Sequence, residues 1–586
     1  MVSFLRTHTC GALRGADAGQ DVILCGWVHR HRNLGGLIFI DLRDRFGITQ
    51  IILDPQKTPE AYKVGENLRL EYVIAVKGKA AIRQDPNPNM STGQIEVFAQ
   101  EIHVLSEAEV LPFQISDTTT EANEEIRLQY RYLDMRRGTI LNNLIVRHKA
   151  MMATRKFMDS EGFIEVTTPI LGKSTPEGAR DYLVPSRIYP GTFYALPQSP
   201  QMFKQILMIG GLDRYFQIAT CFRDEDLRHD RQPEFSQIDL EMSFATQEEL
   251  FPIVERLVQA VFSDTKGIEI KAPFRRMTYA ECMEHYGCDK PDLRFGMQLK
   301  RLDDLAQKST FSIFHDVLAS GGTVKGLTVK GGADISRKEI GELEAFVQTL
   351  GAKGLAWLKV QETGFTSSIA KFLPDELQAE WIERLEMKPQ DAAFVVAGPV
   401  KKVNQVLDHL RRNRAKARNL IPKDVYELLW VTDFPLFTFN EEENRMESEH
   451  HPFTSPNLED LHLIEDSPLK ARSSSYDLVL NGYEIASGSQ RIHDGKLQEA
   501  IFARLGLSPE ERMAKFGFFI DALKYGTPPH IGIALGFDRM IMIFTHTDSI
   551  RDVVAFPKTH KAQDLMTKAP SVVNEMQLKE LKISVK

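Results

Sequence analysis

The sequence predicts an α+β protein of several domains that begins with a small β-barrel. Residues 1–112 are a succession of short β-branched and aromatic runs divided by turn residues. From residue 139 the apolar pattern changes to a helical period, and from about 290 to 410 glycine-rich turns punctuate short strands and helices. A length of 586 residues allows three to four domains at roughly 150 residues each.

The barrel strands are expected at Val22–Val28, Gly36–Leu42, Ile48–Leu53, Tyr72–Lys77 and Gln94–Leu105, with the turn-rich segment Gln84–Gly93 between the last two. Five-stranded oligonucleotide-binding barrels are one common solution for such a segment, and a barrel with no ligand is the other. Residues 113–138 read as a charged hinge. Leu141, Leu144, Ile145, His148 and Met152 then recur on one face of a helix, with Thr139 placed to cap its start and Gly162 to end it. Phe163–Leu171 is apolar but interrupted by Pro169, which marks a sheet edge or an interface. Residues 290–410 read as an inserted α+β domain. Lys401–Arg418 carries seven basic residues and one acidic residue, a solvated helix face in the ordinary case and an RNA-backbone contact in the sharper one. Residues 425–560 return to strand-rich, aromatic sequence.

Composition narrows the class. With 42% apolar and 26% charged residues, the chain is neither disordered nor collagenous nor membrane-embedded. Met1–Cys10 shows no basic stretch leading into an apolar one, so no secretory signal is expected. Five scattered cysteines without a C-x-x-C pair fit a reducing cytoplasm rather than a disulfide framework or zinc knuckle. The net charge of −8 argues mildly against a polyanion partner. The barrel segment nevertheless bunches Arg30, Arg32, Arg43 and Arg45, and a locally basic face on an acidic protein still binds nucleic acid.

Three stretches carry chemistry. Tyr215–Glu241 reads strand, charged loop, strand; Arg223, Arg228 and Arg231 beside Asp224, Glu225 and Asp226 suit phosphates plus a base or metal, or else an ordinary surface hairpin. Gly532–Phe544 reads as a strand-to-helix junction whose glycines admit a ligand and whose Arg539 meets a phosphate, or else as a buried strand and helix with a local Asp538–Arg539 pair. Asp477 and Glu484 can share a divalent ion, or are two unrelated acids. The pair His450-His451 lacks metal-ligand spacing and reads as a hydrogen-bonding element.

Together the three stretches closely resemble motif 2, motif 3 and the amino-acid pocket, respectively, of class II aminoacyl-tRNA synthetases, and those of the bacterial aspartyl type in particular. Gly162-Phe-Ile-Glu-Val-Thr-Thr-Pro-Ile-Leu171 resembles motif 1, Ser174–Asp181 the flipping loop and Pro197–Lys204 the substrate-binding segment. Gly332-Ala-Asp334 resembles the signature of the inserted GAD-type domain. The resemblance implies an anticodon-binding OB-type barrel over 1–112 and a hinge over 113–138. A catalytic domain on an antiparallel sheet flanked by helices follows over 139–289 and 411–560, interrupted by the insertion 290–410, with a carboxy-terminal extension 561–586. One departure is plain: the family's three glycines in Glu-x-Gly-Gly-Gly-Ser become Glu484-Ile-Ala-Ser-Gly-Ser489, which places Ala486 and Ser487 near the pocket.

The implied reaction joins L-aspartate and ATP into aspartyl-adenylate, then transfers aspartate to the 3′ end of tRNA-Asp in the cytoplasm, with Mg²⁺ and no membrane. By resemblance Arg223 bridges the aspartate carboxylate and the α-phosphate, and Arg539 holds the far phosphates. Asp477 and Glu484 ligate Mg²⁺, and Phe235 and Glu225 hold the adenine. Asp224, Gln232, Gly536, Phe537 and Asp538 complete the ATP site. Arg491 and Lys204 face the substrate side chain, Glu177, Gln201 and Asp239 its ammonium, and His450 adds a donor. On the barrel Phe39 stacks an anticodon base, while Arg32, Gln50 and Glu96 read base edges. A homodimer is implied, because motif 1 lies at the family's subunit interface. Leu34 stands where relaxed enzymes, which also charge tRNA-Asn, tend to carry histidine; His31 and the loop Gln84–Asn89 bear on the same choice, and the strict enzyme is the expectation. Two other classes stay open: an adenylating amide ligase, which needs no barrel, and a tRNA-binding paralogue with a dead pocket.

Overall fold

A computed structural model describes residues 5–117, 122–175, 179–361 and 364–585. The chain forms two compact units, Met1–Ile145 with Arg551–Ser571 and Val146–Ile550 with Val572–Lys586. In the first, five strands close a barrel: Asp21–Leu34, Leu37–Asp44, Gly47–Leu53, Val73–Ile82 and Ile95–Ser106. The alternation Val22, Leu24, Val28 and Ile38, Ile40, Leu42 points inward and is wholly buried, as a period of two requires. A short helix, Pro59–Glu66, separates the third and fourth strands and was not foreseen in the sequence. The third strand runs parallel to the fifth, which closes the barrel and leaves no open edge.

The segment read as a hinge is tied down on its carboxy-terminal side. It forms the short helices Glu124–Gln129 and Arg131–Asp134. Arg131, 2% exposed, donates to the carbonyls of Arg551, Val554 and Ala555 and pairs with Asp134 at 2.7 Å. Arg136 pairs with Glu71 of the barrel at 2.9 Å and lies over the Trp27 ring.

The long helix spans Gly138–Ser160, but two of its details differ from expectation. Its start is capped by Asp117 and not Thr139: the Asp117 carboxylate accepts from the N–H groups of Gly138 and Thr139 at 3.1 and 3.0 Å. Its buried face is Ile140, Val146, Ala150, Ala153 and Met158, whereas Ile145 and Met152 of the expected stripe are exposed. The apolar period is real; the sequence does not say which of two apolar faces this chain covers itself. Gly162, at φ +77°, turns the chain into Ile164–Glu165, an edge strand, as Pro169 forecast.

The second unit is organised on an eight-stranded sheet. Its order is Arg275–Thr278, Leu428–Thr432, Ser475–Leu480, Tyr483–Gln490, His530–Gly536, Glu234–Ser243, Arg214–Phe222 and Ile164–Glu165. The six central strands are antiparallel; only the pairings at the two edges are parallel. The helix Gln247–Lys266, opened by a Thr246 capping box, packs on one face through Phe251, which stacks on Trp430 and meets Tyr476 edge-on. That aromatic layer fixes one face as core and leaves the other for chemistry.

The inserted segment folds on its own antiparallel sheet of five strands: Leu299–Arg301, Thr323–Val329, Ala392–Gly398, Ala356–Gln361 and Gly364–Ser367. Its basic run lies in the helix Val400–Ala417, whose Val403, Val406, Leu407 and Leu410 enter the insertion core. The solvated-face reading holds except at Arg411, which is fully buried and donates to the carbonyls of Asp292, Gly296 and Met297. Arg418 pairs with Asp334 of the Gly-Ala-Asp turn at 2.8 Å.

Candidate active site

The face of the central sheet opposite the aromatic layer gathers most of the foreseen residues. Strand register sets them in rows. Asp477 opposes Ser487, Ser487 opposes Ala534, Ala534 opposes Asp239, and Asp239 opposes Gln217. One step along, Ser489 opposes Gly532 and Gly532 opposes Glu241. Glycine is required there: a Cβ on Gly532 would sit 1.7 Å from Glu241 Oε2. A bulge matters as much. Leu478 pairs with Ala486 but Val479 with Glu484, so Ile485 is left over. Without that extra residue Glu484 and Ser487, three apart, would face opposite ways. With it Glu484 joins Asp477 on the site face.

At one end of the face is a buried charge cluster. Arg491 Nε and Nη2 donate to the two oxygens of Glu241 at 2.9 and 3.1 Å, and Nη1 reaches Ser489 Oγ at 2.6 Å and His451 Nε2 at 2.8 Å. Lys204 Nζ lies 2.9 Å from Asp239 and 3.2 Å from Glu241. Burial works to raise both carboxyls. In Asp239 it prevails; in Glu241 the charges of Arg491 and Lys204 overcome it and hold the acid ionised. Burial and the neighbouring Arg491 press His451 well below the usual histidine range, so it accepts from Arg491 as a neutral ring. The sequence flagged the histidine pair as a hydrogen-bonding element, and His451 is one.

The cluster is not self-sufficient. Among the described residues neither oxygen of Asp239 finds an aligned donor, despite the nearby Lys204, and Gln201 Nε2, His450 Nδ1 and Arg539 Nε are likewise buried without partners. Orphaned buried polar atoms each carry a penalty of about 1–3 kcal/mol. Four such residues around one face are complementary to a polar, zwitterionic guest.

Toward the other end Asp477 and Glu484 share the face. Burial, then the charge of Asp477, raises the Glu484 carboxyl. Lys290, which sequence reading missed, lies 3.4 Å from Glu484 and 3.2 Å from Asp289. His450 Nε2 is 3.4 Å from Asp477 Oδ1; burial pulls this histidine down, but Asp477, Glu449 and Glu484 together leave it raised. Among the described residues no cluster of three His, Cys, Asp or Glu side chains stands ready for an ion. Mg²⁺ needs no such cluster, because it takes one or two carboxylates and fills its shell with phosphate and water. Two carboxylates crowded on one face fit it.

The charged hairpin places Arg223 5.1 Å from the Phe235 ring, with Arg223 N–H bonded to the Pro233 carbonyl at 2.9 Å. Arg231 pairs with Glu225 at 3.4 Å; Asp224 is exposed and Gln232 buried. Arg539 pairs with Asp230 at 3.3 Å and donates to the Glu484 carbonyl at 2.5 Å, so its partner is Asp230 of the charged hairpin and not the adjacent Asp538. The side chains of two residues foreseen in the ATP site are engaged within the protein. Asp538 is held by Arg147 and by the N–H of Ser236, and Phe537 is fully buried under Arg147. These contacts anchor the helix Phe537–Phe544. Ala486, expected near the pocket, opposes Leu478 and Leu535 on the core face; only Ser487 of the two departures faces the site. Glu177 lies outside the described residues. Sequence reading also missed Glu241, two residues from Asp239 on the same strand, and Ser489, two residues before Arg491, which lies just past the end of the strand that carries Ser489.

On the barrel's outer face Arg32 opposes Phe39, Asp41 opposes Gln50, and Gln50 opposes Glu96. Gln50 donates to Glu96 at 3.1 Å and Arg32 pairs with Asp41 at 2.9 Å. Burial raises the Glu96 carboxyl. Leu34, at the hairpin tip, is 60% exposed.

The barrel and the antiparallel sheet have known counterparts. The chain belongs to the class II tRNA synthetases of the D, K and N group, whose model matches residues 123–560, with an OB-fold nucleic-acid-binding domain at 22–105. Among curated relatives, the aspartate–tRNA(Asp/Asn) ligase of Protochlamydia amoebophila is 60% identical over 100% of this chain and 98% of its own. That of Chlamydia muridarum is 60% identical over 98% of this chain and 99% of its own. Asparaginyl-tRNA synthetase from Pyrococcus horikoshii, crystallised with asparaginyl-adenylate, shares the fold at TM-score 0.60 and 19% identity, covering 95% of this chain and 99% of its own.

Proposed function

We propose that this enzyme is an aspartate–tRNA ligase that activates L-aspartate with ATP and transfers it to the 3′ end of tRNA-Asp. The observation that carries the amino-acid choice is the presence of two buried cations, Arg491 and Lys204, beside the buried carboxylate of Asp239. Two desolvated cations favour a carboxylate side chain over an amide or an ammonium. Asp239, Gln201 and Glu177 take the substrate ammonium, Arg491 and Lys204 its side-chain carboxylate, and His450 adds a donor.

In the first step an oxygen of the α-carboxylate attacks the α-phosphorus of ATP and pyrophosphate leaves. Arg223 holds both reacting groups, Phe235 stacks the adenine with Glu225 beside it, and Arg539 holds the far phosphates. No protein nucleophile is needed; positioning and charge neutralisation suffice. Asp477 and Glu484 would hold Mg²⁺, which would supply positive charge against the phosphates. In the second step the terminal 3′-hydroxyl of the tRNA attacks the adenylate carbonyl and releases AMP. Phe39, Arg32, Gln50 and Glu96 read the anticodon from the barrel.

The protein works as a cytoplasmic homodimer. Met152, Ile164, Ile170 and Leu171 leave an apolar surface on the motif 1 region of one chain, which a second copy covers. No helix among the described residues is long and apolar enough to cross a membrane. A second reading, in which tRNA-Asn is also charged, is favoured by the names of the relatives at about 60% identity. Exchange of labelled pyrophosphate into ATP, run with aspartate, asparagine and lysine in turn, tests the amino acid. Stimulation by aspartate alone is expected, and stimulation only by another amino acid refutes the assignment. Aminoacylation of purified tRNA-Asn separates the two tRNA readings.

A further inference from the structure

The site face has a floor as well as two ends. Across the strands that floor runs Asp477, Ser487, Ala534, Asp239. Neighbouring strands lie about 4.8 Å apart, so the Ser487 backbone stands about 5 Å from that of Asp477, assigned to the metal, and about 10 Å from that of Asp239, the ammonium acceptor. Its hydroxyl is half-buried and makes no hydrogen bond among the described residues. Other serine hydroxyls nearby are satisfied: Ser489 accepts from Arg491 at 2.6 Å and Ser473 meets Ser475 at 2.7 Å.

A substrate bound with its ammonium at Asp239 and its phosphates at Asp477 and Glu484 must lay the junction between them over Ser487 and Ala534. That junction is the reacting carboxylate and the α-phosphate, whose oxygens only accept hydrogen bonds. Ala534 offers no donor. We propose that the Ser487 hydroxyl donates a hydrogen bond to the acyl-phosphate junction as it forms, making Ser487 a substrate-contacting residue for adenylation. No bond of Ser487 forms or breaks, and its proton stays on Oγ. The inference rests on the aspartate-activating function proposed above.

The test uses the full-length enzyme, Ser487→Ala and Ser487→Gly. Each is measured by pyrophosphate exchange and by calorimetric binding of 5′-O-(N-aspartylsulfamoyl)adenosine, which mimics the adenylate. A hydrogen bond to a charged acceptor predicts that both variants lose about 10-fold or more in kcat, bind the analogue about 10-fold more weakly, and keep KM for aspartate within about twofold. Unfolding midpoints should match the parent. Unchanged kcat in Ser487→Ala overturns the proposal. So does full activity in Ser487→Gly with loss in Ser487→Ala, which would indicate fit and not a donor, and so does a loss accompanied by a lowered midpoint. Failure of the underlying function is separate: the unaltered enzyme would then show no aspartate-dependent exchange.

Discussion

Replacing Arg491 by leucine removes the proposed partner of the substrate side chain and also strips Glu241. In the folded protein Glu241 is fully buried and has three close cationic contacts: two from Arg491 at 2.9 and 3.1 Å and one from Lys204 at 3.2 Å. After the substitution only Lys204 remains, and it is shared with Asp239 at 2.9 Å. Removing one partner of a buried pair costs about 3–5 kcal/mol, because the other charge is left uncompensated. The remaining lysine places this case near the lower end, about 3 kcal/mol. Arg491→Leu should therefore lose aspartate-dependent exchange and also stability, so a second variant is needed to separate the two effects. Arg491→Leu combined with Glu241→Gln removes the uncompensated charge. It should recover most of the urea midpoint while exchange with aspartate stays absent. If the double variant is as unstable as the single one, Glu241 is not the source of the loss. If it still uses aspartate with an unchanged KM, Arg491 does not bind the substrate carboxylate and the pocket assignment is refuted.

Arg539→Ala should raise KM for ATP by about 10-fold or more, since a charge-assisted bond to phosphate is lost; normal ATP kinetics would remove Arg539 from the phosphate site. Asp477→Asn should raise the Mg²⁺ concentration needed for half-maximal exchange, and an unchanged Mg²⁺ titration would place the ion elsewhere. Hydrogen bonds from Arg301, then Lys325, hold the Glu284 carboxyl down to about 2. A depressed folded-state value contributes stability that is full above the ordinary 4.5 and is lost as pH falls toward 2. Glu284→Gln should lose that part of the acid dependence, and an identical acid-unfolding profile would contradict the pairing. Leu34→His should increase aspartylation of tRNA-Asn relative to tRNA-Asp if the exposed hairpin tip sets the choice; an unchanged ratio would assign discrimination to another part of the barrel.

The sequence by itself determined what short-range physics encodes. The alternation of Val22, Leu24 and Val28 or of Ile38, Ile40 and Leu42 is local, so five barrel strands were legible without partners. The same holds for the strand–loop–strand around Arg223 and the strand-to-helix junction before Arg539. The spacing of these segments also carried the family likeness. Tertiary structure decided what depends on register between distant strands. Glu241 and Arg491, 250 residues apart, meet because Gly532 leaves room between their strands. Glu484 faces Asp477 only because a bulge at Ile485 shifts the pairing by one residue. The Asp538 side chain is tied to the helix Gly138–Ser160 because Arg147 packs against it. The helix Gly138–Ser160 carries two apolar faces with the same period, and only its neighbours choose between them. Periodicity is a property of one segment, whereas a site is made where several segments converge, and their relative register is written in contacts that no single stretch of sequence contains.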